Sequence, residues 1–182
     1  MPLLNSVATP YAEALLQVAE ARQETDAVAD QVRGLLSAWN NSAELRSAMG
    51  SPVLEPEAKK AALAALFNEQ LTPSLQNLLK LLADRQRIAV LDAVLLRFLE
   101  LYRDLRNITL AKVTSATPLS EEQQQQLNDK VRAIAGTKAV EFHLAVDPGL
   151  IGGFVVSMGS RVIDASLAGQ VRRLGLALAK VS

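Results

Sequence analysis

Two aspartates flank the most unusual segment of this chain, which reads DPGLIGGFVVSMGSRVIDAS from Asp147 to Ser166. Paired carboxylates carry out general acid–base catalysis in many hydrolases, so Asp147 and Asp164 form the first candidate site. Each aspartate also has a structural role. Asp147 begins a turn with Pro148, and Asp164 is placed to cap a helix that starts near Ser166. Because no nucleophile or oxyanion-binding group converges on the pair, the sequence favours structural roles and makes a small hydrolase the least favoured alternative.

A glycine-rich run and a single histidine are the other groups with ligand-binding potential. The run from Gly149 to Gly153 follows a predicted strand, as phosphate loops do, but it lacks the G-x-x-x-x-G-K-[ST] pattern and leads into another strand. His143 lies within a predicted strand, out of phase with its apolar residues, and the chain has no cysteine. The carboxylates, in turn, form no cluster at EF-hand-like spacing, so a metal site has few ligands available. We interpret the glycines as turn residues and His143 as solvated, and expect no metal or cofactor.

Charge and hydropathy disfavour nucleic-acid binding and direct membrane insertion. The 19 basic and 19 acidic residues cancel. The arginine pairs are isolated from aromatic residues: Arg85 with Arg87, and Arg172 with Arg173. Nucleic-acid-binding proteins need a concentrated basic surface instead. No run reaches the 18 or more apolar residues of a membrane-spanning helix, and the N-terminus lacks a signal-peptide pattern, so we expect a soluble chain.

Residues 1–105 have the pattern of six amphipathic helices joined by short connections. Thr9 followed by Pro10 is typical of a helix start, so we expect the first helix to begin at Pro10. Start signals for the next five helices follow along the chain, at Thr25, Ser42, Pro56, Thr72 and Ile88. Apolar residues recur at intervals of three and four within each segment. These features predict a compact helical bundle.

Residues 106–182 combine strands with helices. A strand is predicted from Ile108 to Thr117, and Ser120 with Gln123 forms a capping box for the helix that follows. The remaining predicted elements are a strand at Val140–Val146, a hairpin of Phe154–Met158 and Arg161–Asp164 around Gly159–Ser160, and a final helix after Ser166. The order β-α-β-β-β-α describes a small α/β domain. The chain as a whole is predicted to have an α+β fold with domains at 1–105 and 106–182.

With catalysis disfavoured, the remaining function is association with a partner. An amphipathic helix can be held in an apolar groove between two others. If the first and fifth helices adjoin, such a groove is lined by Ala14, Leu15, Val18, Leu78, Leu79 and Leu82. Taken singly, each of these residues is more often a core residue. Gly169 and Gly175 each cost about 1 kcal/mol relative to Ala inside a helix, which indicates close packing of the last helix against a sheet or a partner.

Two segments resemble a known family. The sequence ATPYAEAL at 8–15 is similar to the R/T-x-Y-A-x-A-L opening of the delta subunits of bacterial-type F-type ATP synthases, the counterparts of the mitochondrial oligomycin-sensitivity-conferring protein. DPGLIGGF at 147–154, Gly159, and VIDAS at 162–166 resemble the signature of that family. Length and domain organisation agree over the whole chain. Ser157 and Ser160 depart from the family's usual residues, both in the predicted hairpin.

The resemblance implies a non-catalytic stator subunit of a proton-translocating, ATP-synthesising complex. The helical domain would bind the N-terminal helices of the alpha subunits on the catalytic head, and the C-terminal domain would hold the ends of the peripheral-stalk b-type subunits. Such a subunit links the head to the membrane sector and resists the torque of the rotor. The alternative is a helical adaptor module of another multisubunit complex.

The resemblance also implies roles for particular residues. The head-binding groove would be lined by Tyr11, Ala14, Leu15, Val18, Leu75, Leu78, Leu79 and Leu82. The signature residues with structural roles would be Asp147, Pro148, Gly152, Gly153, Gly159, Asp164 and Ser166. No cofactor is implied. The expected location is that of a peripheral protein on the cytoplasmic face of an energy-transducing membrane, either a plasma or a thylakoid membrane.

Overall fold

A computed structural model describes residues 2–51, 53–67 and 70–179, and within these ranges it places side chains from residue 6 to residue 173. The chain divides into two compact units, Met1–Tyr102 and Arg103–Ser182. Helices form the first unit, and helices with one four-stranded sheet form the second. The predicted α+β fold class is confirmed. Gly175, which the sequence singled out, lies in the part of α8 beyond residue 173, whose packing is outside what the structure describes.

The first unit contains six α-helices and one short 3-10 helix. The helices are α1 Pro2–Ala21, α2 Thr25–Asn41, α3 Ala43–Gly50, α4 Pro56–Phe67, α5 Pro73–Asp84, the 3-10 helix Ile88–Val90 and α6 Leu91–Arg106. Helix α6 starts in the first unit, and its last four residues belong to the second. Five of the six predicted helix starts agree with these bounds to within a residue, if the 3-10 turn is taken as the start of the sixth helix. Local signals succeed here because caps and prolines act on the backbone beside them: Ser42 accepts a hydrogen bond from the Leu45 amide at 3.1 Å.

The predicted start of the first helix is wrong. Helix α1 begins at Pro2 and contains Pro10 in its interior, although proline there removes one backbone hydrogen bond and usually costs about 3 kcal/mol. Ala8 and Ala12, on either side of this proline, are fully buried. Burial of the apolar stripe on both sides of Pro10 stabilises a continuous helix, and tertiary packing therefore outweighs the local start signal.

Helices α1, α2, α5 and α6 contribute most of the buried core of the first unit. Leu75 and Leu82 on α5 are fully buried, because their spacing of seven residues places both on one face of the helix. On α6 the fully buried side chains recur at the same helical spacing: Leu91, Val94, Leu95 and Phe98. A Leu or Phe side chain in such a position stabilises the fold by about 1.5–3 kcal/mol relative to an exposed one.

The second unit is a mixed sheet with two helices. Its elements are β1 Ile108–Ser115, α7 Glu121–Ala135, β2 Ala139–Val146, β3 Phe154–Met158, β4 Arg161–Asp164 and α8 Leu167–Ala179, with a 3-10 turn at Pro148–Leu150 between β2 and β3. The strand order is β2-β1-β3-β4. Strands β1 and β2 are parallel, whereas β3 is antiparallel to both of its neighbours. This arrangement has the predicted order β-α-β-β-β-α, and α7 forms the crossover that parallel strands require.

Helix α7 covers one face of the sheet. The predicted capping box is present, since the Gln123 amide donates to Ser120 Oγ at 3.3 Å and the Ser120 amide donates to Gln123 Oε1 at 2.9 Å. The buried core beneath α7 consists of Ala111, Val113, Leu127, Val131, Val156 and Met158. Leu144 and Val146 belong to the same side of edge strand β2, yet each remains about half exposed. The apolar face of β2 is therefore only partly used by the core.

Candidate partner-binding surfaces

An apolar groove lies between α1 and α5 in the first unit. It has a volume of about 300 Å³ and is lined by Tyr11, Ala14, Leu15, Val18, Arg22, Ser74, Asn77, Leu78 and Leu81. The α1 residues are spaced by three and four, so they form one stripe along the helix. From Tyr11 to Arg22 this stripe spans eleven residues, or roughly 16 Å at the rise of an α-helix. The groove therefore has the length of about three helical turns.

The structure brings together five of the eight residues that the sequence assigned to this groove. Those five are Tyr11, Ala14, Leu15, Val18 and Leu78. The other three, Leu75, Leu79 and Leu82, are almost fully buried and do not line the groove. They form the most apolar face of α5, and in a helical bundle that face packs into the core.

The apolar pattern of the sequence did not predict the part of α5 that faces the groove. That part is a stripe of Ser74, Asn77, Leu78 and Leu81, rotated from the core face. Leu81 is 42% exposed, as is Val18 on the opposite wall. The sequence did contain one signal for this face. Leu81 lies three residues after Leu78 and beside the core residue Leu82, so it adds a leucine to α5 beyond those that the core stripe needs. Two large apolar side chains left open to solvent on facing helices favour a docking surface.

Polar contacts hold the two ends of the groove. At one end, the Ser74 hydroxyl donates to Glu24 Oε1 at 2.5 Å, which joins α5 to the segment after α1. At the other end, Arg87 Nη1 donates to the Tyr11 hydroxyl at 3.0 Å. Both bonds link residues more than 49 positions apart in the chain. They fix the spacing of the two walls independently of any occupant.

The signature segment of the second unit begins with a tight turn. The Gly149 amide donates to Asp147 Oδ1 at 2.9 Å, and Pro148 opens the 3-10 turn. The turn ends at Ile151, which has φ +64° and ψ −38°. A β-branched residue rarely adopts a positive φ, so the backbone is strained at this position. Asp147 is therefore a turn residue, as the structural interpretation of its carboxylate predicts.

The two glycines after Ile151 allow the chain to pass against the start of α8. A Cβ atom on Gly152 would lie 2.7 Å from Leu167 Cδ1. Gly153 has φ +78°, and a Cβ atom there would lie 2.3 Å from the carbonyl oxygen of Ala165. The Leu167 amide donates to the Gly152 carbonyl at 2.9 Å, which closes this contact. The glycine-rich run is thus a site of close backbone approach and not a phosphate loop.

Asp164 and Ser166 cap α8. Ser166 Oγ donates to Asp164 Oδ1 at 2.6 Å and accepts from the Gly169 amide at 3.0 Å. The hydrogen bond from the Ser166 hydroxyl lowers the pKa of Asp164, and the Ser166 amide together with Arg173 and Arg172 adds to this effect. A Cβ atom on residue 169 would lie 2.2 Å from Asp164 Oδ2, so close packing does explain Gly169. Asp164 is therefore engaged in a helix cap and not in a catalytic pair.

Exposed apolar side chains surround this cap. Ile151 is 78% exposed and Val171 is 69% exposed, and Val162 and Leu167 are also largely open to solvent. Leu167 and Val171 are four residues apart on α8 and so lie on one helix face. We refer to Ile151, Leu167 and Val171 as the α8 patch. Apolar side chains that remain open around an ordered backbone are typical of an interaction surface.

The other candidate residues show no converging site. His143 is exposed on β2. Among the residues described, no group of three or more His, Cys, Asp or Glu side chains is placed to hold a metal ion. Within residues 2–51, 53–67 and 70–179, none of the helices has the length and apolar character needed to cross a membrane.

Comparison with known proteins identifies the family. The family model described as "ATP synthase delta (OSCP) subunit" matches residues 7–178. The chain belongs to the ATP synthase delta (OSCP) subunit family. The chain is 70% identical to the organellar chromatophore ATP synthase subunit delta of Paulinella chromatophora and 69% identical to the ATP synthase subunit delta of Synechococcus sp. strain CC9311, in each case over the full length of both chains.

A solved structure shares the fold of this delta-family chain. A chain in the cryo-EM structure of the Toxoplasma gondii mitochondrial ATP synthase hexamer matches it with a TM-score of 0.75 and 24% identity, over 94% of this chain and 97% of that one. At this level of identity the match supports the fold alone. Both units of the delta-family chain are therefore elements of a known architecture.

Family membership decides between the functions left open by the sequence. As a delta (OSCP) subunit, the chain is a peripheral-stalk component of an F-type ATP synthase and a structural rather than a catalytic subunit. Its partners are other subunits of that membrane-associated complex. The stator function is confirmed, and the alternatives of a small hydrolase and of an adaptor for another complex are set aside.

Proposed function

We propose that the groove between α1 and α5 binds the N-terminal helices of the alpha subunits, and that the second unit holds the ends of the b-type stalk subunits. A subunit with one binding surface on each unit joins the catalytic head to the stalk. It thereby resists the torque that the rotor applies to the head. The proposed location is the cytoplasmic face of a thylakoid or plasma membrane, which the cyanobacterial and chromatophore relatives support.

The groove is the observation that carries the proposal. It is open, about three helical turns long, and walled by apolar residues from two helices. This is the geometry in which an amphipathic helix lays its apolar face between two others, with anchors spaced by three and four residues. Val18 and Leu81 are the exposed apolar side chains that such a helix would cover. Because each is already more than half buried, covering the remaining surface of one of them is worth about 0.6–1.3 kcal/mol.

The α8 patch supports the stalk-binding part of the proposal. Its three residues project from the strained turn and from the first two turns of α8. The Asp164–Ser166 cap orders the start of α8, and the hydrogen bond from the Leu167 amide to the Gly152 carbonyl joins α8 to the residue after the turn. Exposed Ile, Leu and Val on such a rigid support provide contact area at little entropic cost. We therefore assign the b-type stalk helices to this patch.

Binding of a synthetic alpha-subunit N-terminal peptide to the full chain tests the head-binding surface. Val18→Asp places a charge on the wall of the groove, so we expect the Kd to rise at least about tenfold, the equivalent of 1.4 kcal/mol. Isothermal titration calorimetry measures the effect. Since Val18 is exposed, the far-UV circular dichroism should not change.

Leu96→Asp is the matched control for this experiment. Leu96 is 51% exposed on α6 and does not line the groove, so the same substitution there should leave the Kd within about twofold. Leu79→Asp is unsuitable as a test, because Leu79 is buried and a charge there would unfold the bundle. Equal loss of binding in the Val18 and Leu96 variants would refute the groove as the site.

A further inference from the structure

One end of the groove carries an arginine with no partner in the first unit. Arg22 directly follows α1, where it continues the α1 stripe one turn beyond Val18, and its side chain is exposed. Among the residues that the structure describes, no carboxylate lies within ion-pair distance of Arg22. The residues lining the groove include no acidic side chain. The lining of the open groove is therefore mainly apolar, with one cationic side chain at this end.

No nearby carboxylate that the structure describes forms an ion pair with Arg22. Glu24 lies at the same end of the groove, where its carboxylate accepts a hydrogen bond from the Ser74 hydroxyl. Glu13 and Glu20 are on α1, but at about 100° per residue they point more than 90° away from the stripe that ends at Arg22. The guanidinium is free to receive a carboxylate from outside the chain.

We propose that Arg22 is the specificity-determining residue of the groove and pairs with a carboxylate near one end of the bound amphipathic helix. This inference rests on the proposed function of the groove as a helix-binding site. Apolar contacts along three turns would allow a helix to shift by one turn or to bind in either direction. A single charge pair at one end selects one register and one direction, because every other arrangement leaves both charges unpaired.

The exposure of Arg22 determines how large the effect can be. A solvent-exposed ion pair contributes about 0.2–1 kcal/mol, so the pair adds little affinity and acts mainly by discriminating between arrangements. Removing it should weaken binding by about twofold to fivefold, and placing like charges together should weaken binding further. The effect should also shrink with added salt, since exposed charges are screened.

A charge-swap experiment on the full chain tests the inference. The probe is the alpha-subunit N-terminal peptide, together with single variants in which each acidic residue in turn is replaced by lysine. We expect one of these variants, changed near a helix end, to bind wild-type protein about threefold to tenfold more weakly. Arg22→Glu should weaken binding of the original peptide to a similar degree and restore binding of that one variant. Arg22→Gln should weaken binding of the original peptide and remove only the like-charge repulsion with that one variant, so it should restore less binding than Arg22→Glu does.

Lys80→Glu is the matched control for long-range charge effects. Lys80 is exposed on α5 but lines a different surface, beside α4, so its reversal changes the net charge equally without touching the groove. It should restore no peptide variant. If the wild-type chain binds the peptide and Val18→Asp abolishes binding, but Arg22→Glu restores no variant, the role of Arg22 is refuted while the proposed function stands. If the wild-type chain does not bind the peptide, the proposed function itself is refuted.

Discussion

Replacing Gly153 by alanine should destabilise the second unit strongly. Two effects combine at this position. Gly153 has φ +78°, which alanine adopts only with strain, and a Cβ atom would lie 2.3 Å from the Ala165 carbonyl oxygen and 3.0 Å from Ser166 Cα. Both obstructing atoms belong to the backbone between β4 and α8. They cannot move aside as a side chain could, so the connection that carries the α8 cap would have to shift.

Other glycines of the same unit separate these two effects. Gly159 has φ +56° but open space around its Cβ position, so Gly159→Ala measures strain alone, about 1–2 kcal/mol. Gly169 has no positive φ, and its Cβ would meet only the side chain of Asp164. Overpacking against atoms that cannot relax adds about 1–3 kcal/mol. For Gly153→Ala we therefore expect a total loss of about 2–5 kcal/mol in the free energy of unfolding.

The position of the only tryptophan makes the measurement specific to each unit. Trp39 is buried on α2 in the first unit, so its fluorescence follows unfolding of that unit, whereas far-UV circular dichroism follows both units. In urea, Gly153→Ala should move part of the circular dichroism transition to lower denaturant and leave the Trp39 transition unchanged. The two-probe comparison is needed because a chain of two units need not unfold in one step.

Two outcomes would refute this reasoning. If Gly153→Ala destabilises the chain no more than Gly159→Ala, then the predicted clash with the Ala165 carbonyl does not occur. If the Trp39 transition shifts together with the circular dichroism transition, then the effect of Gly153 is not confined to the second unit.

Two further predictions concern the same region. Ile151→Gly relieves a strained positive φ of an exposed residue, so the free energy of unfolding should stay constant or rise by about 1 kcal/mol while binding to a b-type stalk peptide weakens; a stability loss above about 1 kcal/mol would contradict the strain. Because the folded pKa of Asp164 lies below its ordinary value of 3.8, mainly through the Ser166 hydroxyl, the stability that the ionised group contributes should be present above that value and lost as pH falls through the folded pKa. The difference in urea midpoint between wild type and Asp164→Asn should therefore be smaller at pH 3 than at pH 7. An equal difference at the two pH values would exclude this linkage.

Local signals in the sequence predicted much of the fold. The capping box of Ser120 and Gln123, the proline at position 73 and the hairpin around Gly159 all involve atoms within a few residues of one another, so the sequence alone specifies them. Pro10 is the exception. Its local preference for a helix start is overridden by burial of Ala8 and Ala12, which depends on neighbours distant in the chain.

The order of the elements, the structural roles of Asp147 and Asp164, and the family could all be predicted from the sequence, because they depend on short motifs. Which apolar residues remain exposed to solvent depends on how the helices pack, so the motifs could not predict it. On α5 the periodicity of Leu75 and Leu82 marks the most apolar face, and that face is buried in the core of the unit. The groove instead uses the adjoining face that contains Leu81. Helical periodicity shows how residues share a face, but which face meets solvent depends on the helices that pack around it.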